Sequence, residues 1–410
     1  MPSLKNKRIA IFGGAFDPPH RGHETALKAI LRQLDPDRIL VIPSGTPPHK
    51  EVSGKATGRQ RLEMAKAAFL PLSDRISVLD LEISSSEVSY SYQTVEKIRQ
   101  EYPNAELYLF VGTDQFLAFQ TWKNVPYLLK ECTLCVMERY ENKADLFLQK
   151  GALEKEFGAR CLLLEEKAYI ISSSQIREEL EKQGFSRSLS PKVNDYIALH
   201  ALYWPSDSRR EKLLSMLRQN LSPKRLSHTL AVERETVILA RLFGYEREED
   251  LRLAALIHDL TKEMSLLEHK MICAGENQTF TAQDRESPAV LHGKSAAVIA
   301  RQLGLSEECI CAVRYHTTAR VNMTLPEKIL YFADFIEETR THEVCRRFRT
   351  YFYENLPTTA CEREAFLDEQ IRSSLEETVR NLSEKNLPIH PDTLDALEFL
   401  KNERKNHDPI

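Results

Sequence analysis

Two periodicities share this chain, and the point where one replaces the other constrains the fold more than any other feature. From Arg8 to about Tyr203, short β-rich runs alternate with helical stretches. Arg8 to Phe12, Arg38 to Pro43, Ile76 to Leu79, Glu106 to Val111, Thr133 to Met137 and Arg160 to Leu164 are the expected strands; Arg59 to Phe69 and Tyr92 to Tyr102 are expected helices. Such alternation predicts an α/β domain with a mostly parallel sheet wrapped by helices, and ligands at the carboxyl ends of the strands. After Tyr203-Trp204-Pro205 the strand signals stop. Helical segments then follow one another, at Pro223 to Phe243, Glu248 to Leu260, His292 to Leu303, Pro326 to Thr339 and Glu362 to Asn381, predicting an all-α bundle. The polar, proline-marked stretch Pro205 to Arg210 reads as the boundary, giving domains 1-204 and 205-410.

A chain of 410 residues exceeds what one hydrophobic core usually organises, which agrees with two domains. With 42% hydrophobic and 28% charged residues, and only 14 glycines and 19 prolines, there is no room for a long disordered tract. The net charge of −4 argues against a surface devoted to nucleic acid or an anionic membrane, although a small phosphate pocket can be locally basic. The run Arg8 to Phe12 is too short for a signal peptide and no apolar stretch approaches bilayer length, so a cytoplasmic protein is expected. The oligomeric state is left open, a homo-oligomer included. The eight cysteines show no disulfide rhythm; Cys132 and Cys135 should point to opposite faces of one strand, reduced and structural.

The sharpest local signal is Gly13-Gly14-Ala15-Phe16-Asp17-Pro18-Pro19-His20-Arg21-Gly22-His23, between the first strand and a helix expected near His23. Gly13 and Gly14 permit close backbone approach, the helix N-terminus favours an anion, and His20 and His23 can donate to phosphate oxygens. Neither the Walker pattern nor G-x-G-x-x-G occurs, so a different phosphate geometry is required.

This run resembles the G-x-F-D-P-x-H-x-G-H signature of the nucleotidylyltransferase superfamily, with Phe16 and Asp17 at its named positions. A second segment, Ile171-Ser172-Ser173-Ser174-Gln175-Ile176-Arg177, resembles its I-S-S-T-x-I-R motif, with Ser174 in place of threonine. Ser173 or Ser174 is expected to cap the helix starting there, so that its N-terminus and Arg177 hold the phosphates that leave as pyrophosphate. Within the superfamily the chain looks most like nicotinate-mononucleotide adenylyltransferase. The matching segments are Ile42-Pro43-Ser44-Gly45-Thr46-Pro47-Pro48-His49-Lys50, Ser89-Tyr90-Ser91-Tyr92-Gln93-Thr94, Val111-Gly112-Thr113-Asp114 with Trp122 downstream, and the closing Pro191 to Ile197 helix before Leu202-Tyr203. Thr113 stands where alanine is common. The resemblance implies a Rossmann-like sheet and transfer of AMP from ATP to nicotinate mononucleotide. It further implies Mg²⁺ on the triphosphate, His20, His23, Lys50 and Arg177 on phosphates, and Thr94 and Trp122 around the pyridine ring. Judged alone, His49-Lys50 reads equally well as a solvated loop tip, and Trp122 as a core or rim aromatic. A different phosphorylated acceptor, such as phosphopantetheine or the amidated mononucleotide, stays open.

In the second half, His258-Asp259 interrupts the apolar run Leu253 to Leu260, and Asp334 does the same within Ile329 to Ile336. A buried carboxylate costs several kcal/mol, roughly, unless cations or a metal compensate it. His228, His292 and His316 also fall on or beside expected helices. The order His, His-Asp, His, His, Asp resembles the HD superfamily of metal-dependent phosphohydrolases, in particular a bacterial branch that splits diadenosine tetraphosphate symmetrically into two ADP. That resemblance implies a dinuclear transition-metal site. His228, His258, Asp259 and Asp334 would hold one ion, and His292 and His316 with bridging Asp259 the other; iron, manganese and zinc all suit such ligands. Lys262 and Arg320 are expected phosphate clamps, although each alone reads as a solvated charge. His269, His342 and His390 have no matching context. A catalytically silent bundle that senses a nucleotide is the rival reading.

Overall fold

The computed structural model describes residues 7–45, 56–84, 89–138, 143–165, 171–203, 208–274, 280–281 and 290–407. It divides into two compact units, Met1–Pro205 and Ser206–Ile410.

The first unit is built on strands β1 (Arg8–Gly14), β2 (Arg38–Pro43), β3 (Ile76–Val78), β4 (Glu106–Val111), β5 (Cys132–Glu138) and β6 (Arg160–Glu165). All neighbours pair in parallel, in the order β3-β2-β1-β4-β5-β6. This Rossmann-like order reverses between β1 and β4, which opens a crevice at their carboxyl ends. Alternation along each strand feeds two cores: Ala10 and Phe12 pack into one, Ile9 and Ile11 into the other. Cys135 and Cys132 divide between the same two cores, as their odd spacing requires.

Helices α1 (Arg21–Leu34), α2 (Gly58–Phe69), α3 (Ser91–Glu101), α4 (Thr113–Leu117), α5 (Val125–Glu131), α6 (Lys143–Phe157), α7 (Ser173–Gln183) and α8 (Pro191–Leu199) accompany the sheet. The cap of α7 is Ser172, not Ser173 or Ser174: its hydroxyl accepts from the Gln175 N–H, and Gln175 returns the bond to the Ser172 N–H. That capping box starts the helix one residue earlier and frees both later serines for other partners.

The second unit is helical: α9 (Ser208–Asn220), α10 (Pro223–Leu242), α11 (Glu248–Ile257), α12 (Leu266–Ala274), α13 (Leu291–Gln302), α14 (Glu307–Tyr315), α15 (Leu325–Ile336), α16 (Glu343–Glu354), α17 (Ala360–Glu384) and α18 (Pro391–His407). Helix α10 is central, packing on α11 and α15, and is buried on nearly every side. Its charges are therefore paired: Glu233 takes a two-pronged bond from Arg210, and Arg234 bonds Glu338. Arg210 belongs to the stretch expected to be linker, yet it is buried in α9, because Glu233 needs a cation. Helix α15 stops at Ile336 rather than Thr339, since Arg349 of α16 takes the carbonyls of Ile336, Glu337 and Arg340. No helix among the described residues is long and apolar enough to cross a membrane.

Candidate active sites

In the first unit, β1 delivers the chain at Gly14 into a tight loop. A side chain at Gly14 would meet the Phe16 ring at 2.9 Å, which explains that glycine; at Gly13 a Cβ would meet nothing. Phe16 adopts a left-handed φ of 48° and is buried against Phe12, Phe69 and His23. Its side chain, like that of buried Ile176, serves packing, which leaves only the backbones of these two residues to meet a substrate.

The loop's carbonyls are pulled to one side. Ala15 O accepts from Arg61 Nη1 at 2.7 Å, Asp17 O from Arg177 Nη1 at 2.8 Å, and Pro18 O from Ser173 Oγ at 3.3 Å. The Asp17 carboxylate accepts from the Tyr203 hydroxyl, and Ser174 Oγ accepts from Arg177 Nη2 at 3.1 Å. Taking the acceptors away from the mouth of the loop leaves an environment that suits an anion. His20 is the N-cap of α1, its ring 3.7 Å from that of His23. His23 Nδ1 accepts from the His20 N–H at 3.2 Å, so the neutral ring carries its proton on Nε2 and can donate there. Burial, and then the neighbouring His20, hold His23 well below the usual imidazole range, keeping it neutral.

Farther along the crevice, buried Thr94 donates to Glu82 at 2.7 Å, and burial raises the Glu82 carboxyl. Gly45 is required by close approach, for a Cβ there would lie 2.4 Å from the Glu82 carbonyl. Gly112 caps α4 and Asp114 lies in its first turn, while Trp122 donates to Gln115 at 3.3 Å and its ring lies tilted against Phe119 at 4.9 Å. His49 and Lys50 lie outside the described residues. Arg61 and Glu82 have no role in the sequence reading, and Tyr203 enters it only with the closing segment, without a partner. For Arg61 a signal existed: it shares the buried face of α2 with Leu62, Met64, Ala65, Ala68 and Phe69.

In the second unit, α10 supplies His228, the end of α11 His258 and Asp259, α13 His292, the end of α14 His316, and α15 Asp334. His228 Nε2 lies 3.1 Å from Asp334 Oδ1 and 3.5 Å from Asp259 Oδ2. His292 Nε2 is 3.2 Å from Asp259 Oδ1 and 3.0 Å from His316 Nε2, and His258 Nε2 is 3.6 Å from Asp259 Oδ2. The six residues form one cluster, in which His228, His258 and Asp334, and again His258, Asp259 and His316, each gather donor atoms within 4.8 Å. Gly293 allows this, because any side chain would sit 2.6 Å from the Arg314 carbonyl and hold α13 off α14.

The rings are aimed. His258 Nδ1 bonds Ala255 O and His316 Nδ1 bonds Val313 O, both at 2.6 Å, while His228 Nδ1 meets Glu337 Oε1 at 3.1 Å. Each bond turns Nε2 inward, the arrangement that orients metal-bound imidazoles. His258 Nε2 is buried without a hydrogen-bond partner. Burial pushes His258 down to about 4 and His292 down to about 3, so both are neutral, as ligands must be. Burial opposes ionisation of Asp259 and Asp334, yet surrounding imidazoles, and Arg340 for Asp334, hold both well below the carboxylate range. Against its burial, bonds to Asp334 and Glu337 raise His228 to about 9, a proton that a bound cation would displace; the neutral rings of His258 and His292 and the ionised carboxylates that converge with it fit divalent cations.

Lys262 Nζ lies 3.1 Å from His292 Nε2 and 3.9 Å from Asp259 Oδ1, beside the cluster. Arg320 differs. It makes a two-pronged pair with buried Glu327, at 2.6 and 3.0 Å, over the Tyr315 ring. Glu327, which also accepts from the Thr324 N–H and hydroxyl, takes both prongs of the guanidinium, so Arg320 anchors the start of α15 away from the six ligand residues and does not stand as a clamp. Two arginines not expected from sequence stand at the carboxylates instead: Arg225 Nη1 bonds Asp259 Oδ2 at 2.7 Å, and Arg340 Nη2 bonds Asp334 Oδ1 at 2.6 Å. Arg225 precedes His228 by three residues on one face of α10, a spacing that could have found it.

A Cytidylyltransferase-like family model matches residues 11–179, and an HD domain model matches residues 225–338. A probable nicotinate-nucleotide adenylyltransferase of Clostridium tetani is 34% identical over 48% of this chain and 99% of its own length. Another, from Synechococcus sp., is 35% identical over 49% and 98%. A solved structure from Clostridium acetobutylicum, described as a predicted HD superfamily hydrolase involved in NAD metabolism, is 29% identical over 47% of this chain and 97% of its own, with a TM-score of 0.42. By its first half the chain belongs to the nicotinate-nucleotide adenylyltransferase family, and its second half carries an HD domain.

Proposed function

We propose that the first unit transfers AMP from ATP to nicotinate mononucleotide, giving the deamido dinucleotide and pyrophosphate. The observation that supports this is the bond from Arg177 to the Asp17 carbonyl, which brings together the two segments read as phosphate-binding. The mononucleotide's phosphate attacks the α-phosphorus in line, and the protein contributes alignment and charge stabilisation. His20 and His23 donate to phosphate oxygens, Arg177 and the start of α7 neutralise the leaving pyrophosphate, and Mg²⁺ brought with ATP would offset the charge of the triphosphate. Lys50 and His49 complete the phosphate contacts in this reading, with Thr94 and Trp122 near the pyridine ring and Gly112 and Asp114 at the end of β4. The family membership supports the acceptor choice.

For the second unit we read a phosphohydrolase acting on a nucleoside polyphosphate, with diadenosine tetraphosphate split to two ADP as the specific reaction. His228, His258, Asp259 and Asp334 would hold one divalent ion, and His292 and His316 with Asp259 a second; iron, manganese and zinc all suit the donors. Bound ions of this kind lower the pKa of water and polarise a phosphoryl oxygen. Arg225, Arg340 and Lys262 would hold the phosphate chain, whose negative charge they match. The support is the inward aim of three imidazoles on buried carboxylates.

Metal analysis of the purified protein, with turnover measured on ATP plus nicotinate mononucleotide and on diadenosine tetraphosphate, tests both readings. A metal-free second unit that binds nucleotide without hydrolysing it would replace the hydrolase by a sensor. Faster turnover with phosphopantetheine or the amidated mononucleotide would replace the acceptor.

A further inference from the structure

Beside the metal-ligand cluster of the second unit lies a cavity of about 730 Å³ whose lining is of two kinds. Lys224, Arg225 and Arg340 border it, the two arginines reaching the carboxylates of Asp259 and Asp334. Its acids are already engaged: Glu337 by His228 and Thr339, Glu263 by Ser222, Glu377 by Arg380. The part near the cluster thus presents Lys224, Arg225 and Arg340 to a ligand, the two arginines beside the carboxylates they bond. The rest is different. Half-buried Phe335, held edge-on to Phe348 at 5.2 Å, and Val344 give it an apolar wall, and α17, which contributes no residue to the cluster, presents Thr378 and the exposed amide of Asn381.

A chain of phosphates alone would use only the cationic part. An apolar wall with one free amide, in a space within the usual few hundred to one thousand Å³ or so of a ligand pocket, suits a ring system carrying donors and acceptors on its edge. We infer that this cavity is a nucleoside subsite: the phosphates of a nucleoside di- or polyphosphate point to Arg225 and Arg340, and the base lies against Phe335 with its edge at Asn381. Asparagine pairs well with the N6/N7 edge of adenine, which makes an adenine nucleotide the favoured occupant. The inference rests on the reading of the second unit as a phosphate-ester site, and extends it by placing the recognition of the base on α15 and α17.

The test uses the full-length, metal-containing protein and the variants Asn381→Ala and Phe335→Leu, titrated calorimetrically with ADP and, separately, with pyrophosphate. The first unit is common to all three proteins, so differences report on the cavity. Each variant is expected to weaken one class of ADP site about tenfold or more, leaving pyrophosphate binding unchanged, and to raise KM for diadenosine tetraphosphate with kcat nearly constant. ADP binding and KM unchanged in both variants, with hydrolysis intact, would overturn the subsite while leaving the hydrolase reading standing. Weakened ADP binding in a protein that hydrolyses no nucleoside polyphosphate would uphold the subsite and overturn the hydrolase. Asn381 is exposed and Phe335→Leu keeps an apolar side chain, so both proteins should fold; equal melting temperatures verify this.

Discussion

Arg177 donates to the carbonyl oxygen of Asp17 at 2.8 Å, across 160 residues of sequence. The bond fixes a guanidinium from α7 against the loop that follows β1, so two segments that each resemble half of a phosphate site share one wall.

Arg177→Lys keeps a charge but loses the fork that spans Asp17 and Ser174. Adenylyl transfer should fall by about a hundredfold or more, mainly in kcat, because the lost contact matters most as pyrophosphate charge develops. Steady-state kinetics with both substrates measure it; a rise in KM alone would mean that Arg177 binds ground state and transition state equally.

His23 gives a pH signature. Its folded pKa is depressed by burial and by His20, so below the unfolded value of about 6.5 the unfolded chain binds a proton that the folded one refuses. The stabilisation is complete above that pH and is lost as pH falls through it towards the folded pKa. Thermal melts across this range should show the first unit weakening with acid, and His23→Asn should flatten that slope.

Burial pushes the thiols of Cys132 and Cys135 up to about 12, whereas Cys361 is exposed. Iodoacetamide at neutral pH should label Cys361 in the native protein and spare the two strand cysteines until denaturant is added. Mass spectrometry of the labelled peptides checks this.

Gly293→Ala should part α13 from α14, because the new methyl would lie 2.6 Å from the Arg314 carbonyl. The expected cost is about 1–3 kcal/mol of stability, with His292 drawn away from His316 and metal content reduced. Metal per chain and melting temperature, measured together, decide it.

The strands and the two kinds of architecture are legible in sequence because buried parallel strands leave continuous apolar runs and amphipathic helices leave spaced ones. The cluster of the second unit is legible for the opposite reason: Asp259 and Asp334 violate the apolar pattern of their helices. What the pattern hides is partnership. Arg210 reads as linker because its mate, Glu233, lies on another helix. Arg320 reads as a clamp, and Arg340 as nothing, because the turn that brings Arg340 back to Asp334 depends on Arg349 gathering three carbonyls. Arg61 leaves a trace, a cation on the buried face of α2, that does not reveal the loop carbonyls it binds, and Tyr203 leaves none of its bond to the Asp17 carboxylate.

The claim on which all of this turns is that the chain holds two independent centres for phosphoryl chemistry. Turnover of both substrate sets by Asp259→Ala tests it most directly: dinucleotide synthesis should continue at the wild-type rate while hydrolysis of diadenosine tetraphosphate disappears. Synthesis that falls together with hydrolysis, or hydrolysis that survives the substitution, would contradict it.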